Sequence, residues 1–353
     1  MKILISGSTR TQCFGYMGLR PIACLSGFMQ PILENAGHEV IMAYPDAVDL
    51  GVLKPDFIFL GLSPASGLAA NLSFYAYDLY RQAKQVQIPV VWFVDDKAIN
   101  QIPSHMGSWL RGYEKRVDAL CGTGRRKGTK EFAMSVKDTT LGLFAKFLEG
   151  KFPEPIIVAM WNPDGEKDPR TEKYFCGNRT IYIDPSSAVE LVEPLGKVEQ
   201  KKRQWMIANL GDYGTIWLRK TYGSPEHFTW PLITFGKVDK VQMPRASQPD
   251  MLNIHYPESW GIMSPSYPMS VGRLYRTRFA HAALAKSIML STHQETIDYF
   301  GSTFKFDPLK IEQYSDADLA ALGHLQATVF WQKTWSRVEF TQRLNNIINE
   351  ALR

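Results

Sequence analysis

Cysteine is scarce in this chain of 353 residues, and its spacing argues against two classes of small, cross-linked domain. The four cysteines form no CxxC pair, and none has a histidine at the spacing of a metal ligand; they stand at Cys13, Cys24, Cys121 and Cys176. A disulfide framework and a zinc site are therefore not expected, and a reducing compartment fits the pattern better.

Long apolar runs are absent as well. No stretch approaches the roughly 18 apolar residues that a membrane span requires. The apolar run near the start, Ile3–Ile5, is shorter than the core of a secretory signal. We therefore expect a cytoplasmic protein with no membrane partner.

Three common sequence fingerprints are missing too. The chain has no Walker A motif, no GxGxxG turn and no GxSxG elbow. These absences argue against P-loop NTPases, dinucleotide-dependent enzymes with the usual fingerprint, and α/β-hydrolases.

The composition is that of a globular protein with a substantial core. Apolar residues make up 45% of the chain and charged residues 21%, and the 9 Trp, 15 Tyr and 19 Phe argue against disorder. The length predicts roughly two domains of about 150 residues each. The formal charge of +5 permits a polyanionic partner without requiring one.

The first half of the sequence alternates apolar strand-like runs with helical patterns. A helix is predicted over Pro21–Asn35 with a C-terminal cap at Gly37, and another over Tyr75–Gln87. The predicted strands are Ile3–Ser6, Glu39–Ala43, Asp56–Gly61, Ile88–Val94, Val117–Cys121, Pro155–Ala159 and Thr180–Ile183. Such alternation predicts a parallel sheet covered on both faces.

A second α/β series follows a linker at 184–187. Strands are predicted at Trp205–Leu210, Leu232–Gly236, Met251–His255 and Ser287–Ser291. A short helix is predicted over Arg276–Lys286, and the tail from Asp316 to Leu352 is predicted to be helical. The whole chain is thus predicted to be α/β with two similar halves.

Two adjacent carboxylates, Asp95 and Asp96, come directly after a predicted buried strand. Ligands of open α/β sheets bind outside the carboxyl ends of the strands, where a carboxylate can act as a general base. A helix cap or a turn residue is the plainer explanation of the same pattern, and both interpretations stay open.

A basic segment opens the short helix that precedes the strand Ser287–Ser291. It contains Arg276, Arg278 and His281, and the last two share one helix face. A helix N-terminus favours phosphate, and arginine adds bidentate contacts. A solvated basic helix start and a buried structural histidine are the alternatives.

A glycine-rich basic loop follows the predicted strand Val117–Cys121. Its cations are Arg125, Arg126, Lys127 and Lys130. Such a loop suits a phosphate backbone, and it suits plain solvent equally well.

Taken in order along the chain, these features resemble the glycosyltransferases of the GT-B architecture. Within that architecture they most resemble the phage DNA β-glucosyltransferases, which glucosylate 5-hydroxymethylcytosine in DNA. The similar features are the opening strand at Met1–Ile3, the turn at Ala36–Val40, the strand ending in Trp92–Asp95, the crossover at Tyr182–Pro185, the helix–strand unit at Arg278–Leu290 and the long C-terminal helix.

The resemblance implies roles for single residues. Asp95 takes the position of the catalytic carboxylate, and Arg278 that of an arginine on the UDP pyrophosphate. His281 stands where the family usually has a glutamate on the ribose hydroxyls, and an imidazole replaces the bidentate carboxylate with one hydrogen bond. The loop containing Gly211 and Asp212 is expected near the donor.

The resemblance also implies a domain plan. An acceptor domain is expected over residues 1–182, completed by a C-terminal helix at 330–353 that crosses back to it. A nucleotide-sugar domain is expected over residues 183–329. The two Rossmann-like domains are expected to face each other.

The implied activity is inverting transfer of a sugar from a UDP-sugar to the hydroxyl of a 5-hydroxymethylpyrimidine, with 5-hydroxymethylcytosine in phage DNA as the expected acceptor. The expected partners of the monomer are double-stranded DNA and the UDP-sugar, in the host cytoplasm. No cofactor or metal site is expected, while a requirement for Mg²⁺ or Mn²⁺ stays open. Two alternatives also stay open: a GT-B transferase with a non-DNA acceptor, and a non-catalytic DNA- or nucleotide-binding protein of the same fold.

Overall fold

The chain divides into two units, each built on its own sheet. The computed structural model describes residues 1–6, 25–62, 79–94, 154–159, 180–184, 189, 195–210, 228–238, 241–242, 250–264, 277–291, 294–305, 307–334 and 336–353. The first unit comprises Met1–Met160, Asp164–Ala188 and Arg337–Arg353, and the second comprises Trp161–Pro163 and Val189–Ser336.

The described strands of the first unit form a six-stranded sheet in the order β2-β1-β3-β4-β5-β6, in which every neighbouring pair is parallel. Its strands are β1 (Lys2–Ser6), β2 (Glu39–Ala43), β3 (Phe57–Leu62), β4 (Val90–Val94), β5 (Ile156–Ala159) and β6 (Thr180–Ile183). The interior strands are almost continuously apolar because both faces are buried; Ile3, Leu4 and Ile5 are fully covered. The prediction of a parallel sheet is confirmed.

The described helices of the first unit are α1 (Leu25–Asn35), α2 (Leu50–Leu53), α3 (described over 79–85) and α8 (Arg337–Ala351). The predicted cap of α1 is present. Gly37 has φ +84°, its N–H donates to the Glu34 carbonyl, and the His38 N–H donates to the Leu33 carbonyl. At the other end of the chain, α8 contacts α1, and the Asn345 side chain hydrogen-bonds His38.

Five strands of the second unit are described, and they form a sheet in the order β11-β10-β7-β8-β9. Its strands are β7 (Lys202–Leu210), β8 (Leu232–Val238), β9 (Val241–Gln242), β10 (Ser259–Ser264) and β11 (Ile288–Ser291). The pairs are parallel except for β8 with β9. The core beneath this sheet is centred on the buried rings of Trp205 and Trp230, 5.5 Å apart.

In the described part of the second unit the helices are α4 (Tyr256–Glu258), α5 (Thr277–Ala285), α6 (Gln294–Phe300) and α7 (Asp316–Lys333), with 3₁₀ turns at Ser302–Phe304 and Pro308–Gln313. Helix α7 covers the edge strand β11 through one buried side chain. The Gln326 amide accepts from the Met289 N–H at 2.7 Å and donates to the Met289 carbonyl at 3.0 Å. It thereby satisfies backbone groups of β11 as a further strand would.

Two predicted elements are wrong in detail. Met251–His255 is a π-helix and not a strand, and the strand that follows it is β10, which sequence analysis did not predict. The tail is two helices, α7 and α8, separated at 334–336. The predicted strand Val117–Cys121 lies outside the described residues.

No helix in the described part of the chain is both long and apolar enough to span a membrane.

Candidate functional site

The first sheet has a topological switch point between β1 and β3. From β1 the chain moves outward to β2 and then crosses to β3 on the opposite side, so the connections leave in opposite directions. In open α/β sheets a crevice for ligands forms outside the carboxyl ends of the strands at such a point. The first unit therefore carries a candidate ligand site at this edge.

Asp95 and Asp96 lie outside the described residues, but the strand that precedes them is well defined. Strand β4 ends at Val94 and pairs in parallel with β3 up to Leu62. Adjacent strands are about 4.8 Å apart. The chain therefore enters the Asp95–Asp96 segment at the carboxyl edge of the sheet, one strand away from β3.

A polar residue that was not singled out from the sequence also lies at this edge of the sheet. Ser6 is the last residue of β1, is fully buried, and its hydroxyl has no hydrogen-bond partner in the described structure. A serine closing an apolar strand immediately before Gly7 was the available signal in the sequence.

The second sheet has its own switch point, between β7 and β10. The chain passes from β7 to β8 and β9 on one side and returns to β10 on the other. The register of β7 against β8 shifts between Ile207 and Leu210, close to the carboxyl end of β7. Such irregularities are over-represented beside active sites, so this edge is the candidate donor site.

Two of the predicted donor segments come after strands of this sheet in the sequence. Gly211 and Asp212 come directly after β7, and α5, with Arg278 as its second residue, is the first described helix after β10. Because α5 leads back to the start of the parallel strand β11, its N-terminus is at the carboxyl edge. Gly211, Asp212 and Arg276 themselves lie outside the described residues.

His281 is buried in the middle of α5, with 4% of its surface exposed. Its ring packs against the Tyr256 ring with centroids 4.9 Å apart. Burial lowers the pKa of His281 to about 3, so the imidazole is neutral near pH 7. This placement is what the structural alternative predicts, and the ribose contact stays a prediction.

The predicted DNA-binding cations Arg125, Arg126, Lys127 and Lys130 also lie outside the described residues. Among the residues that the structure does describe, no group of three or more His, Cys, Asp or Glu side chains gathers where it could hold a metal ion. The DNA contacts and any divalent-cation requirement stay predictions.

Comparison with known proteins finds likeness in structure and none in sequence. No protein-family profile and no curated protein matches the chain. A mutant of the T4 phage β-glucosyltransferase BGT in complex with UDP-glucose matches with a TM-score of 0.63 and 12% identity, over 99% of each chain. T4 phage BGT with its UDP-glucose substrate matches with a TM-score of 0.56 and 11% identity, again over 99% of each.

A further solved structure, of the DNA-modifying enzyme β-glucosyltransferase with and without uridine diphosphoglucose, matches with a TM-score of 0.55 and 9% identity over 99% of each chain. Likeness at this identity is a statement about fold. The predicted α/β fold of the GT-B type is confirmed, and the chain has the fold of the phage β-glucosyltransferase structures.

Proposed function

We propose that this chain is an inverting glycosyltransferase that moves a sugar from a UDP-sugar to the hydroxyl of a 5-hydroxymethylpyrimidine in DNA, with 5-hydroxymethylcytosine as the acceptor base. The observation that carries the proposal is the match over 99% of both chains to β-glucosyltransferase structures, two of them described as UDP-glucose complexes and one as that of a DNA-modifying enzyme. The strand order supports it, because Asp95 follows β4, the neighbour of β3 at the first switch point, and Gly211 follows β7 at the second.

The donor is assigned to the second unit. A helix N-terminus carries free N–H groups and a partial positive charge, and α5 begins at the carboxyl edge beside the β7–β10 switch point. Arg278, with Arg276 before it, supplies the positive charge for a pyrophosphate, and the Gly211–Asp212 loop borders the same site. The leaving UDP is stabilised there as negative charge develops on its β-phosphate.

The chemical step is assigned to Asp95. Its carboxylate takes the proton of the acceptor hydroxyl as the hydroxyl oxygen bonds to the anomeric carbon. The bond from the anomeric carbon to the UDP oxygen breaks in the same displacement, which inverts the anomeric centre. Asp96 has the same charge, but successive side chains along a strand point to opposite faces, so we do not expect the two carboxylates to be interchangeable.

The acceptor is assigned to duplex DNA held by the first unit. A hydroxymethyl group inside a base stack cannot reach a catalytic carboxylate, so the base must be flipped out of the helix. Arg125, Arg126, Lys127 and Lys130 are the cations proposed to bind the phosphates.

The experiment that tests this function is transfer to defined DNA. Matched duplexes that carry cytosine, 5-hydroxymethylcytosine or 5-hydroxymethyluracil are incubated with each of a panel of UDP-sugars, with and without Mg²⁺. The DNA is then digested and its nucleosides are weighed by mass spectrometry.

We expect a hexose or pentose mass increment on a hydroxymethylated nucleoside and none on cytosine. UDP release without any modified nucleoside would move the proposal to a transferase with another acceptor. Binding of DNA or UDP with neither UDP release nor a modified nucleoside would leave a non-catalytic binding protein of the same fold.

A further inference from the structure

The second unit has an open cleft of about 770 Å³ at the amino edge of its sheet, the edge opposite the proposed donor site. Its walls are the segment 198–201 that leads into β7, the start of β7, and the side chains of Glu258 and Asp316. None of the residues singled out from the sequence lines it.

Two of the three cations on these walls are neutralised by carboxylates. Lys202 Nζ lies 3.0 Å from Glu258 Oε2. The guanidinium of Arg203 donates to Asp316 Oδ1 at 2.7 and 3.0 Å and to the Tyr314 carbonyl at 3.0 Å. Because each of these two pairs is neutral overall, neither leaves an uncompensated charge for a ligand to bind.

The third cation, Lys201, is held without a carboxylate. Its ammonium donates to Ser287 Oγ at 2.8 Å and more weakly to the Ser259 carbonyl at 3.4 Å, and it lies 5.6 Å from the centre of the Trp260 ring. Within the described structure no carboxylate forms an ion pair with it. Lys201 is therefore a partly buried charge whose protein contacts are a hydroxyl, a carbonyl and an aromatic face.

We propose that this cleft binds a small oxyanion, a carboxylate or a phosphate group, with Lys201 as its counter-ion. Removing a charge from water is costly unless an opposite charge compensates it, and none of the described carboxylates forms an ion pair with Lys201. An oxyanion in the cleft compensates the ammonium in surroundings where water screens it less than at an open surface. Glu199 also lines the cleft, but it is exposed and its repulsion is screened by solvent.

The protonation state of Lys201 makes the site sensitive to pH. Burial lowers the pKa of Lys201 to about 8. A bound anion favours the charged amine and raises that pKa again. The other charged groups on the walls are Glu199, Lys202, Arg203, Glu258 and Asp316, and the histidine of the adjoining hydrogen-bond network is His255, whose carbonyl accepts from Ser259 Oγ.

The test follows the lysine side chains by NMR in the intact protein labelled with ¹³C at lysine Cε. Sodium phosphate and sodium acetate are each titrated against sodium chloride at constant ionic strength. We expect a saturable shift of the Lys201 signal with at least one oxyanion. For acetate, whose charge is constant over this range, apparent affinity should fall about tenfold from pH 7 to pH 9, because only the protonated fraction of Lys201 binds.

Controls separate the cleft from general charge effects. Lys201→Met should abolish saturable binding measured by calorimetry, and Lys310→Met, at an exposed lysine of the same unit outside the cleft wall, should leave it intact. If neither anion shifts the Lys201 signal more than the chloride control does, the role of Lys201 is only to hydrogen-bond the edge of the sheet, and the proposal is overturned. The wild-type pH titration decides the matter even where Lys201→Met does not fold. No UDP-sugar is used, so this result is independent of the proposed transferase activity.

Discussion

Gly261 of β10 faces Trp205 of β7 so closely that a Cβ atom on the glycine would lie 2.3 Å from Cε3 of the indole ring. Trp205 is fully buried and packs against Trp230. The ring therefore occupies the space of the missing side chain, and the two strands that flank the proposed donor crevice are joined through this contact.

Replacing that glycine should damage the second unit. Gly261→Ala forces a methyl group into the Trp205 ring within a closed core, and we expect it to lower the free energy of unfolding by about 3 kcal/mol, the upper end of the range for overpacking. Urea denaturation measures the loss. In a Trp205→Leu background the same added methyl should cost less than about 1 kcal/mol, and equal penalties in both backgrounds would show that the ring is not the cause.

His281 should make stability depend on pH. Its folded pKa of about 3 lies below the ordinary histidine pKa of 6.5, so between these values the unfolded chain binds a proton that the folded chain does not. The contribution of His281 to the free energy of unfolding is therefore fully present above pH 6.5. It is lost as pH drops toward 3, with a slope of about 1.4 kcal/mol per pH unit. His281→Phe should remove that part of the slope, measured by urea denaturation between pH 6.5 and 4.5. The same slope in both proteins would contradict the assignment. His38, whose pKa is also lowered, is present in both proteins and therefore affects the two slopes equally.

Arg278 should contribute to donor affinity. Arg278→Ala removes a charged hydrogen bond to the pyrophosphate, which is worth about 1.5–3 kcal/mol, or about 10- to 150-fold in the dissociation constant of UDP. Calorimetry with UDP measures it. Lys305→Ala, at an exposed lysine of the same unit, is the control and should change nothing. Unchanged UDP affinity in a folded Arg278→Ala protein would remove Arg278 from the donor site.

The basic loop should appear in the salt dependence of DNA binding. Each neutralised phosphate contributes about 0.9 to the slope of log affinity against log salt concentration, so replacing Arg125, Arg126, Lys127 and Lys130 with serine should flatten the slope by up to about 3–4 units. UDP affinity should not change. An unaltered slope would mean that DNA phosphates bind elsewhere, and no DNA binding by the wild-type protein at low salt would mean that DNA is not the acceptor.

Much of the fold was predictable from local sequence because the buried strands are nearly uninterrupted apolar runs. The exception is instructive. Met251–His255 has the apolar composition of a strand but is a π-helix, whereas β10, Ser259–Ser264, contains two serines and a glycine. A run of five apolar-rich residues does not distinguish helix from strand. Position 261 requires glycine because the Trp205 ring on the neighbouring strand leaves no room for a Cβ atom. That contact cannot be read from the residues around position 261 in the sequence.

The tail shows a second limit of local patterns. The break between α7 and α8 contains Thr334 and Ser336. It has neither glycine nor proline, the residues that would have indicated a helix end in the sequence. The strand ends beside the candidate sites were predictable, since β4 and β7 end at the predicted residues, directly before Asp95 and Gly211. The uncompensated charge of Lys201 was not predictable, because it depends on Ser287 and Trp260, which are far from it in sequence.

The central claim is that Asp95 is the base for sugar transfer to DNA, and the most direct test is the rate at which glycosylated nucleoside forms on hydroxymethylated DNA. Asp95→Asn keeps the shape of the side chain and removes its basicity. We predict that turnover, measured by nucleoside mass spectrometry, falls about 10²–10⁴-fold while UDP and DNA affinities stay nearly unchanged, since the lost interaction is made in the transition state. Asp96→Asn should cost far less. Turnover of Asp95→Asn close to the wild-type rate would contradict the account and direct the search for the base to Asp96 and Asp212.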